Sequence, residues 1–506
     1  MAARGMDLEA LELVESLCPF PGTIGRICPH PCEQECNRGK DGEPVAICAL
    51  KRFLDDIADR PYDLFRRELE KNTKSPGKKV AVIGAGPSGL SAALYLRLFG
   101  FEVSIFEAQD FGGGTPAIHM PAFRLPADTY QKEVNRILDL GFDLHFGVKL
   151  GEDFILGDIQ DKDFSAVYLA TGAMKPIKLP HTGEEHERFL DGKEFLARVH
   201  SGEDIRLDGD VLIIGGGNVA MDVARSAVRC GADNVRIVCL ERKPEPGEKK
   251  FRYEGNEWRE IKPVESVQYM PAHSWEIEEA RKEGVEIIDG FATETFDIED
   301  DKVTAVNCLQ VERIEQDKYG RIFPILRDGT LTKLKADWVL TAVGSTPDYS
   351  FLEEVPEQIP ISDGVPLVRL KNGTGLNIPV IAGGDMASGP ATVIDAIAAG
   401  KEAALYLYSK LMGSAPVSIR YRSRRTLEPW ANYPDSPDFR TRRREITLAE
   451  EERRASFREV YCGYTAKAAR EEAERCMHCD WPLVRESKVS KFFRMMEKDD
   501  KEKFAD

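Results

Sequence analysis

Two stretches of this chain alternate a short, wholly apolar run with a glycine turn and then a small-residue helix pattern. The first is KKVAVIGAGPSGLSAALYLRLFGFEVSIFEA, residues 78–108. VAVIG is too apolar and β-branched to be anything but a strand buried on both faces. SGLSAALYLRLFG has helical periodicity, and VSIFE is a second buried strand ending in Glu107. The turn between them spaces its glycines as Gly84-x-Gly86-x-x-Gly89. That spacing suits a dinucleotide: a tight first turn, close approach of backbone to pyrophosphate, and close packing of helix on strand. Pro87 and Ser88 open the helix, whose free N–H groups would face the phosphates, and Glu107 would accept from ribose hydroxyls.

The pattern returns at DVLIIGGGNVAMDVARSAVRCGADNVRIVCLERK, residues 210–243. Gly215-x-Gly217-x-x-Ala220 brackets Asn218 and Val219 at the helix start, and the second strand closes on Glu241 followed by Arg242. Two such units predict two dinucleotides side by side, as hydride exchange between a nicotinamide and a flavin requires. Strand-then-glycine segments follow each unit: SAVYLATGA with Thr171 and Gly172, and DWVLTAVGSTPD with Gly344. A third, IPVIAGGDMASGPATVIDAIAAGKEAA, carries Gly384, Asp385 and Thr392 ahead of a helix of small residues.

Length and composition add domain count and class. A chain of 506 residues corresponds to about three domains at roughly 150 residues each. Its 42% hydrophobic and 31% charged residues are those of a globular protein, and the net charge of −17 disfavours nucleic acid and anionic lipid. No apolar run approaches the ~20 residues of a membrane span. The opening MAARGMDLEALELVESL reads as a short amphipathic helix rather than a secretory signal.

The eleven cysteines cluster at the two ends. Cys18, Cys28, Cys32, Cys36 and Cys48 lie in the first fifty residues, and Cys462, Cys476 and Cys479 near the other end. An odd count in a large chain without a signal argues for metal or redox chemistry in a reducing cytoplasm rather than a disulfide scaffold. Three thiols in ICPHPCEQEC need further corners from elsewhere to complete tetrahedral or cubane sites. Zinc remains an alternative occupant. Cys230, Cys239 and Cys308 sit in apolar contexts and read as buried small residues.

With GAGPSG and GGD, the chain resembles the two-dinucleotide flavoprotein reductases. MPAFRLPADTYQKEV (120–134) and GRICPHPCEQEC…EPVAI (25–47) narrow this to the glutamate synthase small-subunit group. That group includes the N-terminal half of dihydropyrimidine dehydrogenase and the large subunit of bifurcating transhydrogenases. The resemblance covers roughly residues 15–412. It implies an α/β fold with two Rossmann-like domains, a small helical iron–sulfur domain at the N-terminus and an extended C-terminal tail. The expected boundaries are 1–76 for the cluster domain, 77–200 with 345–412 for FAD, 201–344 for the nicotinamide nucleotide and 413–506 for the tail. Arg124, Leu125, Val148, Thr171, Gly172, Gly384, Asp385 and Thr392 are implied at the FAD, and Gly344 at the second nucleotide. Two [4Fe–4S] clusters are implied as well.

The chain departs from the group in one respect: the CxxC run expected before CPxPCExxC is missing, and CMHC (Cys476, Cys479) follows a helical segment at the far end. Carried over by position, Cys36 joins Cys476 and Cys479, while Cys28 and Cys32 belong to the other cluster. In several members a side chain in the helix after EPVAI completes that cluster, and Cys48 lies about one turn from it. Cys18 and Cys462 are candidates for the remaining corners. The two ends must then meet in space.

Glu241 would repel a 2′-phosphate and favours NADH, whereas Arg242 and Lys243 favour NADPH; the reading here prefers NADH. Residues 244–268, with Tyr253 and Trp258, read as an insertion. The arginine-rich 418–445 is expected to wrap the chain's own domains or a partner, and 485–504 to form an amphipathic helix with Phe492, Phe493 and Met496 on one side. The implied activity is an electron-transfer flavoprotein subunit. It would pass electrons between NAD(P)H and a partner redox subunit or ferredoxin, through FAD and the clusters, within a hetero-oligomer. Alternatives are a glutamate synthase small subunit proper or a zinc-stabilised scaffold.

Overall fold

The computed structural model describes residues 1–477 apart from 41, 58–64, 67–68, 70–76, 161, 180–185, 244–250, 255–256, 261–267, 301, 317–321, 353–357, 361–366, 371–375 and 414–440. Cys479, the terminal helix and most of the arginine-rich stretch lie outside the described residues.

The first apolar run forms the strand Lys79–Ile83 at the heart of a seven-stranded sheet. It pairs in parallel with Glu102–Glu107 on one side and Phe164–Leu169 on the other. Val380–Gly383 extends the sheet in parallel, and Leu367–Leu370 and Gln358–Pro360 close it antiparallel. The helices Pro87–Leu98 and Val393–Met412 cross one face. They approach closely at Gly400, where a Cβ would lie 2.1 Å from Ser88 O and 2.8 Å from Ala92 N.

The second run, Asp210–Ile214, is the wholly buried centre of a five-stranded parallel sheet with Asn234–Cys239, Glu286–Asp289, Trp338–Thr341 and Phe189–Asp191. Phe189–Asp191 and the helix Gly192–His200 therefore belong to the second domain, and the crossover falls between 176 and 189 rather than at 200. Three residues are too few to show a period, so the strand left no pattern to read. The crossover and the return pair as Lys175–Pro176 with Ser345–Thr346.

At the N-terminus the helices Asp7–Leu17, Pro21–Ile27 and Ile47–Ile57 pack against the first domain. The buried carboxylate of Glu133 docks the middle helix, accepting from Gly22 N at 2.7 Å, Thr23 N at 3.0 Å and Thr23 Oγ1 at 2.5 Å. Burial, reinforced by Asp55, pushes Glu133 up to about 7. A raised folded-state value means that the contribution is whole below the unfolded carboxylate range and is lost as pH rises through about 7. Melting temperature should therefore fall between pH 5 and 8 in the wild type and fall less in Glu133→Gln, as scanning calorimetry across that range would show.

The far end of the chain returns to this N-terminal unit. Glu472, on the helix Ala466–Glu474, accepts from Ala46 N at 2.8 Å, and Arg475 reaches the Glu43 and Pro44 carbonyls. Arg442 pairs with Glu33 at 2.5 Å, Arg453 with Glu279 at 2.9 Å, and Val460 N donates to Phe123 O at 3.0 Å. Residues 441–477 thus strap all three domains together.

Candidate functional site

A cavity of about 690 Å³ opens where the first glycine turn, the C-terminal ends of the parallel strands and the N-termini of two helices converge. Gly84, Gly86, Pro87, Ser88, Glu107, Val148, Thr171, Gly172, Asp385 and Thr392 line it. Gly84 has φ +103°, and a Cβ there would stand 2.4 Å from Ala170 O. Only glycine makes that turn. Gly89 lies beneath it, against Gly84 O. Glu107 is held in place by Ala85 N at 2.7 Å and Gln109 N at 2.9 Å. Thr392 caps its helix in a reciprocal box with Asp395, aiming the helix N-terminus at the cavity. Burial raises Asp385 to about 6, and Lys193 acts on it from the second domain. Such a crevice at the strand ends, with two helix N-termini and an acid on the second strand, fits FAD.

Arg124 and Leu125 are placed elsewhere. Leu125 is core. The Arg124 guanidinium enters a buried network between the domains, at 2.6 Å from Asp222 and paired with Glu276. Arg225 continues it to Glu283 at 2.8 Å.

In the second domain, Gly217 precedes the helix Asn218–Arg229 with nothing within 4 Å of where its Cβ would lie, leaving room for a pyrophosphate. Asn218 Oδ1 accepts from His273 N at 2.9 Å, Val219 is exposed and Ala220 is buried. Glu241 turns its carboxylate over Gly216 and is raised by burial. Arg242 is exposed and has no ion pair among the described residues, whereas Lys243 is committed to Asp289 at 3.0 Å. Lys193, which the motifs did not flag, bridges the domains by donating to Ala173 O at 3.0 Å and Ser345 Oγ at 2.7 Å, beside Gly344.

The N-terminal thiols converge. Cys28 Sγ, Cys48 Sγ and a ring nitrogen of His30 lie within 4.8 Å of one another. Cys48 hydrogen-bonds to both Cys28 and Cys32, which draws Cys28 down to about 5 and Cys32 to about 7 and pushes Cys48 up. Cys18 packs against the same core as Cys28 and Cys48, and burial pushes it up to about 11. His30, in the left-handed conformation between the cysteines, stacks on Trp275 of the second domain. Its position inside ICPHPC was the only signal that could have marked it. Cys28, Cys32 and Cys48, with Cys18 packed against the same core, are a donor set that suits a four-thiolate metal centre.

Cys36 precedes a turn held by Gly39 N to Cys36 O at 2.8 Å, and Gly39 abuts Pro44. Arg475, the residue before Cys476, grips the Glu43 and Pro44 carbonyls. Cys462 is exposed on the Tyr461–Gly463 strand, and its thiol makes a long hydrogen bond to Glu459 O. Among the described residues no helix is long and apolar enough to cross a membrane.

Comparison with known proteins agrees with this geometry. Residues 78–400 match the pyridine nucleotide-disulphide oxidoreductase family, and residues 2–61 match dihydropyrimidine dehydrogenase domain II, 4Fe-4S cluster. The chain is 34% identical over 503 residues to the NADP(+)-dependent formate dehydrogenase subunit beta of Moorella thermoacetica, covering 93% of this chain and 67% of the relative. It is 30% identical to the NADPH-Fe(3+) oxidoreductase subunit beta of Geobacter sulfurreducens (93% and 71% covered) and 29% identical to the glutamate synthase [NADPH] small chain of Azospirillum brasilense (83% and 85%). Among solved structures, Mycobacterium tuberculosis FprA in complex with NADPH matches the fold with a TM-score of 0.50 at 16% identity, covering 66% of this chain and 85% of that one. Names that specify NADP(H) give the preference for NADH no support. The chain belongs to the pyridine nucleotide-disulphide oxidoreductase family, as an FAD-dependent, nicotinamide-nucleotide oxidoreductase whose N-terminal domain is of the 4Fe–4S type.

Proposed function

We propose that this chain is the NADPH-reactive subunit of a larger redox assembly, exchanging electrons with a partner subunit or ferredoxin in a reducing cytoplasm. One observation carries the reading most. The thiols pack in the same core as the two helices Pro87–Leu98 and Val393–Met412, whose N-termini line the flavin cavity. FAD, when bound, supplies the step from two-electron hydride chemistry to single electrons. The protein's part is to hold and orient. The Gly84 turn and Glu107 fix the dinucleotide, Lys193 holds the two domains in register, and Cys18, Cys28, Cys32 and Cys48 would hold one [4Fe–4S] cluster. Cys36 and Cys476, with Cys479, would serve a second.

Arg242 is the residue we assign to the 2′-phosphate, because it is exposed at the end of the second strand and has no ion pair among the described residues. Relatives named for NADPH support the same choice. A charged hydrogen bond of about 1.5–3 kcal/mol corresponds to a loss of roughly 10- to 100-fold in NADPH affinity on Arg242→Ala. NADH affinity should change little. Anaerobic titration of the purified holoprotein with each nucleotide, following flavin bleaching, tests the assignment. Preference for NADH in the wild type, unaltered by the substitution, would remove it.

A further inference from the structure

The four-thiol group has an unusual electrostatic surrounding. Lys51 stands one turn after Cys48 on the helix Ile47–Ile57, so its side chain leaves the same face of that helix. It is largely enclosed and has no carboxylate ion-pair partner among the described residues. Cys48, Cys32, Cys18 and Cys28 are the groups whose ionised forms would act on its charge most strongly.

Lys401 approaches from the other domain. It lies on the helix Val393–Met412, nine residues beyond Thr392 at the flavin cavity, a rise of roughly 14 Å. Its Nζ lies 5.1 Å from the centre of the Tyr95 ring, and Tyr95 Oη donates to Ser16 O at 3.3 Å, two residues before Cys18. Lys401 too has no carboxylate ion pair among the described residues. Cys18, once ionised, would act on it more strongly than its chain neighbour Glu402.

Buried ammonium groups without a partner are costly. The buried arginines between the domains are paired with acids, Arg124 with Asp222 and Arg225 with Glu283. Two lysines beside one set of thiols, without such a carboxylate among the described residues, call for a different counter-ion.

We propose that Lys51 and Lys401 are built-in countercharges to the anionic cluster held by Cys18, Cys28, Cys32 and Cys48, setting its reduction potential high enough to take an electron from the flavin side. The inference rests on the cluster reading given above. Reduction adds one electron, supplied by NADPH through the flavin, and no proton, so the centre becomes more negative by one charge. A fixed positive charge favours that product over the oxidised state and raises the potential. Lys51 and Lys401 act here as positioning residues for charge, not as ligands.

The test is an EPR-monitored redox titration of the anaerobic holoprotein, with iron and acid-labile sulfide measured first. In Lys51→Met and in Lys401→Met the ratio of reduced to oxidised cluster at a fixed potential should fall at least tenfold, which for one electron is a midpoint lowered by about 59 mV. Lys51→Arg and Lys401→Arg should stay near the wild type, which a role in packing alone would not give. Should Lys51→Met fail to take up iron, Lys401→Met decides, since it lies on a helix that carries no ligand. Unchanged midpoints in proteins with full iron would overturn the countercharge role and leave the cluster standing. A wild type with zinc, or without iron and sulfide, would overturn the cluster reading itself.

Discussion

In Cys48→Ala protein, NADPH should still bleach the flavin at close to the wild-type rate, while electron delivery to a one-electron acceptor falls by about 100-fold or more. Cys48 is the only one of the gathered thiols that hydrogen-bonds to two others. It is buried, and it starts the helix that closes the site. Without it three thiols remain, and a four-thiolate centre loses a corner that no nearby side chain replaces except His30. Iron content should drop by one cluster's worth. Cys462→Ala is the contrast: its thiol is exposed and apart from the group, so iron content and electron delivery should be unchanged. Iron analysis with anaerobic stopped-flow at the flavin band separates the two halves of the path. Equal iron in Cys48→Ala and wild type would exclude Cys48 as a ligand.

The second large effect is expected at Gly400→Leu. The helices Pro87–Leu98 and Val393–Met412 touch backbone to backbone there, and a Cβ would meet Ser88 O at 2.1 Å. A carbonyl in a helix cannot rotate away, so the helices must separate. Overpacking alone costs about 1–3 kcal/mol, and a clash with main chain more. Both N-termini point into the flavin cavity, lined there by Ser88 and Thr392, so separation spoils the cradle as well as the core. The purified variant should carry little FAD and melt well below the wild type. Flavin-to-protein absorbance ratio and a thermal melt check this, and a yellow protein of normal melting temperature would show that the helices tolerate the insertion.

Both Rossmann units could be read in the sequence because their signal is local. A buried strand, a glycine turn and a helix follow one another within about thirty residues, and each glycine meets a steric demand such as that at Gly84. The gathering of Cys18, Cys28, Cys32 and Cys48 was legible only with the family resemblance, since spacing alone does not choose among ligand sets. What escaped was long-range. Arg124 sits in a segment that resembles a flavin contact, yet it turns toward Asp222 and Glu276, and no local pattern announces partners about 100 and 150 positions away. No motif in the sequence marks Lys51, Lys193 or Lys401. Only the packed structure shows that they are enclosed, two of them against sulfur rather than carboxylate.

The strap that ties the C-terminal helix to the N-terminal domain has a consequence for biosynthesis. Cys36 leaves the ribosome early, but Cys476, tied to the N-terminal domain through Arg475 and Glu472, is made 440 residues later. At roughly 5–20 residues per second that delay is about 20 to 90 seconds. The centre using Cys18, Cys28, Cys32 and Cys48 can be assembled on the nascent chain before Cys476 is made, whereas one that draws on Cys476 must await that residue. Loading of the second centre would then report that synthesis has passed Cys476, and chains broken off before that residue would carry the first centre alone.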